Sequence, residues 1–183
     1  YPYRTPLIYY APENGRKRRG FKALMMETGI FFVYVLFSMN LFDQSYDVPE
    51  TTRLLTRGVC KLFQDLGFGT LTEFKLANGR RVDVMAIDRN GEFVIVEVKS
   101  TVADYRGDRK WQEYLAFSER FYFAVPAGFP VDMMPDDCGL IVADPYAAAV
   151  RRESMTRKLN TNRKRRQLIR FALAASSRLS HHD

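Results

Sequence analysis

The chain has little of what builds most small metal and redox sites. Only two cysteines, Cys60 and Cys138, occur in 183 residues, far apart and with no Cys-x-x-Cys spacing. That argues against a disulfide framework and against a cysteine zinc site, and leaves two small core residues in a reducing compartment. The two histidines, His181 and His182, stand at the extreme C-terminus. With no others in the chain, histidine acid–base catalysis and histidine metal ligation are not expected. Internal repeats and low-complexity segments are absent, which excludes solenoids and arrays.

Long apolar runs are also missing. The longest, "GIFFVYVLFSMNLF" (29–42), falls short of the roughly 20 residues that cross a bilayer. It follows "RKRRGFK" (16–22), the basic-then-apolar order of a signal peptide, yet no small-residue cleavage site comes after it. Three readings stay open for this region: a poorly defined extension, a helix packed on the domain, or a membrane anchor. Residues 1–50 are therefore set apart as an N-terminal extension with a short apolar segment, and 51–183 as one domain, since the length allows one sizeable core rather than two.

Charge of one sign is in excess. Lysine and arginine number 28 against 21 acids, a net charge of +7, on an otherwise ordinary globular composition of 46% apolar residues. Such a balance points to a polyanionic partner, nucleic acid first and an anionic membrane second. The densest stretch is "RKLNTNRKRR" (157–166), with six basic residues in ten. It would attract a duplex, or else form a solvated helix start. No helix-turn-helix or zinc-finger pattern accompanies it, so sequence-specific readout is not indicated.

The apolar pattern predicts an α/β fold. Leu54, Leu55, Val59, Leu62, Phe63 and Leu66 recur at helical spacing over 53–66, and the glycines of "LGFG" stop the helix. Strands are predicted at 70–76, 81–87 and 93–100, the last two joined at Asn90-Gly91. A helix is predicted at 107–120, with Trp111, Tyr114, Leu115 and Ser118 on one side. Buried-type strands follow at 121–126 and 139–144. The last element, 162–179, reads as an amphipathic helix with Leu168, Ile169, Ala172, Ala175 and Leu179 along one stripe. The expectation is a sheet covered by helices.

Within the hairpin "VDVMAIDRNGEFVIVEVKS" (82–100) three charges interrupt apolar strand positions: Asp83, Glu97 and Lys99. Glu97 and Lys99 share a face by strand alternation. Asp83 joins them only if the loop has three residues, Arg89-Asn90-Gly91, with Gly91 left-handed; a two-residue loop would set Asp83 opposite Val98. Two carboxylates facing each other repel unless something lies between them, and Mg²⁺ or Mn²⁺ suits oxygen ligands of this kind. Lys99 would then hold water or offset charge on a phosphate. The plainer alternative is an ion-pair cluster on a solvated strand.

This segment resembles the PD-(D/E)xK nuclease superfamily, with Asp83 as the aspartate and "EVK" (97–99) as the (D/E)xK element; Val82 stands where the naming proline would be. More specifically, "TEFKLANGRRVDVMAIDRNGEFVIVEVKSTVADYRGDRKWQEY", followed by "RFYFAVP" and "GLIVAD", resembles the MmcB-type family of DNA repair proteins over about residues 53–178. The resemblance implies a restriction-endonuclease-like core, a central mixed sheet flanked by helices. It also implies a role on damaged, branched or single-stranded DNA, with Mg²⁺ or Mn²⁺ as cofactor and Asp83, Glu97 and Lys99 as catalytic residues. Glu73 matches an additional acid that helps bind metal in such proteins. A protein of the same fold that binds DNA or a repair partner with little turnover is the alternative.

Arg80, Arg81, Lys110, Arg163, Lys164, Arg165 and Arg166 are the candidate nucleic-acid contacts. Trp111 is expected in the core, and Asp104 and Asp108 as helix caps. A membrane partner and a small-molecule cofactor are not expected, and the localisation expected is cytoplasmic, at the nucleoid.

Overall fold

A computed structural model describes residues 48–180. The N-terminal extension and its apolar run lie outside the described residues. The first helix, α1, spans Val48–Asp65. Leu55, Val59 and Phe63, four residues apart, are buried on one stripe. Its end is built locally. The Phe68 N–H returns to the Phe63 carbonyl, the Gly67 N–H to that of Gln64, both at 2.9 Å, with Gly67 at φ +82°. Those two bonds satisfy carbonyls that the last turn would leave open, and the Phe63 and Phe68 rings meet edge-on at 5.3 Å, closing the stop with an apolar contact.

Three strands follow as a meander: β1 (Gly69–Lys75), β2 (Arg81–Ile87) and β3 (Phe93–Val98). The chain then crosses over through a short helix α2 (Val102–Gly107) and a 3₁₀ segment (Trp111–Phe117) to β4 (Arg120–Val125). A loop carrying a 3₁₀ turn (Val131–Met133) leads to β5 (Gly139–Ala143), then β6 (Ala148–Arg152) and α3 (Thr161–Leu179). The six strands lie in chain order in one sheet. β3 pairs parallel with β4 and β4 with β5, while the other pairings are antiparallel. Parallel neighbours require crossovers, and these coat the sheet.

Each face has its own core. On one, α1 packs Leu55, Val59 and Phe63 against Val84, Val96, Tyr122 and Ile141. On the other, the crossover segments and α3 cover Met85, Phe93, Ile95, Phe121 and Phe123. Every residue of β3 is buried, as a central strand with both faces covered requires. Cys60 and Cys138 are free thiols, as their spacing predicts.

Three elements differ from the pattern read in the sequence. In place of the helix predicted over 107–120, α2 ends at Gly107, a break follows, and the 3₁₀ segment takes up Trp111–Phe117. Its buried residues are Trp111, Tyr114 and Phe117, spaced by three. That period places them on one edge of a 3.0-residue turn, whereas a 3.6-residue helix would spread them. Trp111 is a core residue, stacked on Phe121 at 5.6 Å. β6 is unanticipated, a short edge strand alternating half-buried with exposed positions. It follows a turn in which Asp144 accepts from the Tyr146 and Ala147 N–H groups. Finally, α3 is rotated by about one position. Gln167, Phe171 and Ala174 face the protein, leaving Leu168, Ile169 and Leu179 exposed. Polar anchors set this rotation: Gln167 donates to the Phe117 carbonyl and Arg178 to that of Thr72.

α1 meets the β5–β6 turn at Gly58, where an added Cβ would lie 2.1 Å from the Asp144 carbonyl oxygen and 2.8 Å from that of Ala147. Gly58→Ala is therefore expected to cost about 1–3 kcal/mol through overpacking, despite alanine's better helix propensity. Urea denaturation measures it; unchanged or raised stability would show that α1 does not seat on the turn as described.

Candidate active site

The hairpin register decides whether the three charges meet. Cα partners run Ile87↔Phe93, Ala86↔Val94, Met85↔Ile95 and Val84↔Val96. The Asp88 N–H bonds the Glu92 carbonyl at 3.1 Å, so the loop is Arg89-Asn90-Gly91, with Gly91 at φ +72°. This is the three-residue loop, and it sets Asp83 across from Glu97. Asp88 supports it from the side, its Oδ1 accepting from the Asn90 and Glu92 N–H groups.

Past Val84↔Val96 the regular ladder gives way to side chains. Asp83 Oδ2 accepts from the Val98 N–H at 2.7 Å, and the Asp83 N–H reaches Glu97 Oε1 at 3.4 Å. Each carboxylate is thus held by the backbone of the opposite strand. Glu97 is 4% exposed and Lys99 6%, both facing the crossover segments. Lys99 Nζ lies 2.7 Å from Asp108 Oδ2 and 3.7 Å from Glu97 Oε2. Its backbone N–H continues the parallel ladder to the Ala124 carbonyl, so the amine projects from a fixed strand position. The structure brings Asp83, Glu97 and Lys99 together as expected, and adds Asp108.

Burial raises the Glu97 carboxyl well above its usual range, and the neighbouring Asp83 charge raises it further; the pull of Lys99 does not offset both. Asp83 is raised as well, chiefly by burial, against the opposing Val98 hydrogen bond and Lys99. The amine is affected differently. Burial alone would lower Lys99, but the Asp108 hydrogen bond and the Glu97 charge outweigh it and raise its pKa. Asp108 is lowered because the bonds from Lys99 and from the Lys110 backbone outweigh its burial. Lys99 and Asp108 therefore form a firmly ionised pair beside two acids that resist ionisation. Tyr114, packed nearby, is raised to about 12 by burial and then by the charges of Glu97 and Asp108.

Two acids raised together are a place for a cation. Asp83 and Glu97 offer hard oxygen donors suited to Mg²⁺ or Mn²⁺, which keep several waters and need few protein ligands. No group of three potential ligands converges among the described residues. Glu73 does not join the two acids in a group of three ligands. It pairs with Arg81 at 2.6 Å on the exposed side of β1, although its charge contributes to raising Asp83. Its φ of +49° is the one positive value outside glycine among the described residues, and the β1–β2 pairing omits Glu73 and Asp83 between Thr72↔Val84 and Phe74↔Val82. A backbone outlier thus sits beside the site.

The basic candidates separate into classes. Arg80 forms a two-bond pair with Glu113, both contacts 3.0 Å. Lys164 pairs at 3.0 Å with buried Glu119, whose other oxygen accepts from the Phe93 N–H. Arg163 donates to the Ala116 carbonyl and lies over the Phe117 ring. Lys110, Arg165 and Arg166 have exposed side chains. Asp104, expected as a cap, stands instead in the first turn of α2 and accepts from the Ser100 N–H; the N-cap is Thr101, whose Oγ1 accepts from the Asp104 N–H. Asp108, expected only as a cap, also holds the site's amine. Its sequence signal was an acid beyond the motif strand, at the start of the stretch read as a helix over 107–120.

The fold and site define an α/β protein with a buried Asp–Glu–Lys cluster where an antiparallel hairpin meets a parallel strand. The chain matches the MmcB-like DNA repair proteins over residues 41–183 and belongs to that family. It is also similar to a solved structure described as a protein of unknown function from Silicibacter pomeroyi, with 38% identity, 70% of this chain and 88% of the other covered, and a TM-score of 0.69. No curated protein matches. Among the described residues no helix is long and apolar enough to cross a membrane.

Because folding raises the Glu97 pKa above its ordinary 4.5, this group's contribution to stability is full below that value and is lost as pH rises through the raised one. In EDTA, thermal stability is expected to fall with rising pH over this window. Glu97→Gln, which keeps an oxygen for the Asp83 N–H, should flatten the fall and melt higher than wild type at neutral pH. A variant melting lower at every pH would instead make the carboxylate a structural tie.

Proposed function

We propose that the protein is a metal-dependent nuclease of DNA repair, built on a restriction-endonuclease-like core, that hydrolyses phosphodiester bonds in damaged or structured DNA. The observation that carries the reading is Lys99 Nζ 3.7 Å from Glu97, itself across the hairpin from Asp83. The element order supports it: a helix, a three-strand meander, a crossover and a strand parallel to β3 frame the motif. Membership of a family named for DNA repair supports the setting, and the net charge of +7 suits a polyanionic substrate.

Asp83 and Glu97 would hold Mg²⁺ or Mn²⁺, with Glu73 adding to the negative potential; when bound, the ion supplies Lewis-acid polarisation of a phosphate and a more acidic water. Burial makes the two acids poor at staying ionised alone, so their affinity for a divalent cation is coupled to proton release. Lys99 keeps its proton at neutral pH, because Asp108 and Glu97 raise its pKa. It therefore donates, orienting water or neutralising charge that grows on the phosphate, and does not act as the base. Asp108 fixes the amine's position at 2.7 Å. Lys110, exposed and two residues beyond, would meet the backbone, with Arg80 and Arg81 at the neighbouring turn. Their surface ion pairs are weak enough to exchange for phosphates.

A second reading, a nuclease-fold module that binds DNA or a repair partner without useful turnover, draws on Glu73 being paired with Arg81 and Lys99 with Asp108. Cleavage separates the two. Plasmid, single-stranded and branched DNA, each incubated with Mg²⁺, Mn²⁺ or EDTA, should be cut only with metal. Asp83→Asn, Glu97→Gln and Lys99→Met should each lower the rate about 100-fold or more while remaining folded. Binding without cutting in every metal would establish the module, and loss of folding in the carboxamide variants would make the cluster structural.

A further inference from the structure

Beside α3 lies a cavity of about 330 Å³, lined by Phe117 and Gln167 and by three guanidinium residues, Arg163, Arg166 and Arg170. Three cations border one space and no carboxylate does. Elsewhere Arg53, Arg80, Arg81, Arg120, Arg152 and Arg157 each lie within 4 Å of an acid. Among the described residues, none of the three pocket arginines pairs with an acid. Arg163 donates to Ala116, and Arg170 to Leu76 at 3.4 Å. Three like charges around one space give it a positive potential that favours an anion there.

The helix start is not what would hold that anion. Asn160 already caps it, accepting from the Asn162 and Arg163 N–H groups. The donors left are guanidinium groups, whose planar forks match phosphate oxygens two at a time. The cavity is also tied to the candidate active site. The 3₁₀ segment begins three residues after Asp108, which holds Lys99, and ends at Phe117 in the cavity wall. Seven residues at a rise of about 2 Å cover about 14 Å, or about four base steps of 3.4 Å along a duplex axis.

We infer that the Arg163–Arg166–Arg170 pocket receives a backbone phosphate of the nucleic-acid strand, a few nucleotides from the phosphate placed at Lys99. This rests on DNA as the partner, not on hydrolysis. The test is therefore binding in EDTA, using the full chain and fluorescently labelled single-stranded and duplex oligonucleotides over a range of salt. Arg166→Gln, which breaks no bond within the protein, and Arg170→Gln should each weaken binding severalfold. Each should also lower the slope of log affinity against log salt by about 0.7 for single strands or 0.9 for duplex. Lys61→Gln, which removes one charge from exposed α1 on the other face, should do neither.

Equal losses from all three variants would reduce the effect to diffuse electrostatics and overturn the assignment. So would wild-type affinity in Arg166→Gln, or a wild type that binds no oligonucleotide. Inorganic phosphate supplies the other arm. If it stabilises wild type thermally but not Arg166→Gln, while DNA affinity is equal in the two, the pocket takes a free anion and the strand assignment falls. A wild type that binds but never cuts removes hydrolysis and leaves the pocket standing.

Discussion

The site depends on hairpin register. A strand repeats every two residues, so a slip of one position would turn Asp83 to the α1 face, among Val84, Val96 and Tyr122, with nothing there to receive a carboxylate. What prevents the slip is the loop. Gly91 takes the left-handed conformation that closes the three-residue loop, and Asp88 ties the Asn90 and Glu92 N–H groups with one oxygen. Phe93 adds a lock from outside the hairpin, donating to buried Glu119, which Lys164 neutralises. A basic residue of α3 thereby helps to fix the spacing of two acids on a strand pair elsewhere in the chain.

With the register set, the charge balance of the cluster follows. Asp83, Glu97 and Asp108 face one amine, so full ionisation would leave excess negative charge in a mostly buried place. The protein distributes that excess unevenly. Asp108, more open and bonded by two donors, ionises readily and retains Lys99, whereas Glu97 is driven toward its neutral form. One acid is committed to positioning and two are left short of positive charge. A uniformly paired cluster would be a structural ion network; this unevenness is what a cation-binding reading requires.

How much of this was legible from the residues varies with the range of the signal. Apolar alternation marked β2 and β3 almost to the residue, and Asn90-Gly91 marked their loop, because both signals are local. The Asp83–Glu97 meeting was legible as a condition on loop length. The 3₁₀ segment was not, since Trp111, Tyr114 and Phe117 fit either a period of three or one side of an α-helix, and only packing on Phe121 and Phe123 selects between them. The rotation of α3 was also hidden. Its apolar stripe predicted burial of Leu168 and Ile169, while Gln167 and Arg178 found carbonyl partners 50 and 106 residues away. Burial of such polar anchors depends on the tertiary partner, which spacing along one helix does not encode. Arg170 escaped notice for the same reason.

The location of the cluster has its own cause. β3 is where the sheet changes from antiparallel to parallel pairing: β2 opposes it and β4 runs with it. An antiparallel neighbour returns through a tight loop at one end, but a parallel neighbour sends the chain over the face by a crossover. At the carboxyl end of β3 the two requirements separate, and the crossover must leave the sheet just past Lys99. That divergence lets Asp83 take the Val98 N–H. It also brings Asp108 back over the strand end from the crossover itself. Open α/β sheets collect ligands at such points because backbone donors and diverging loops are found together there. Here the same geometry gathers two acids, an amine and its partner, and directs the 3₁₀ segment away from them toward the arginines of α3.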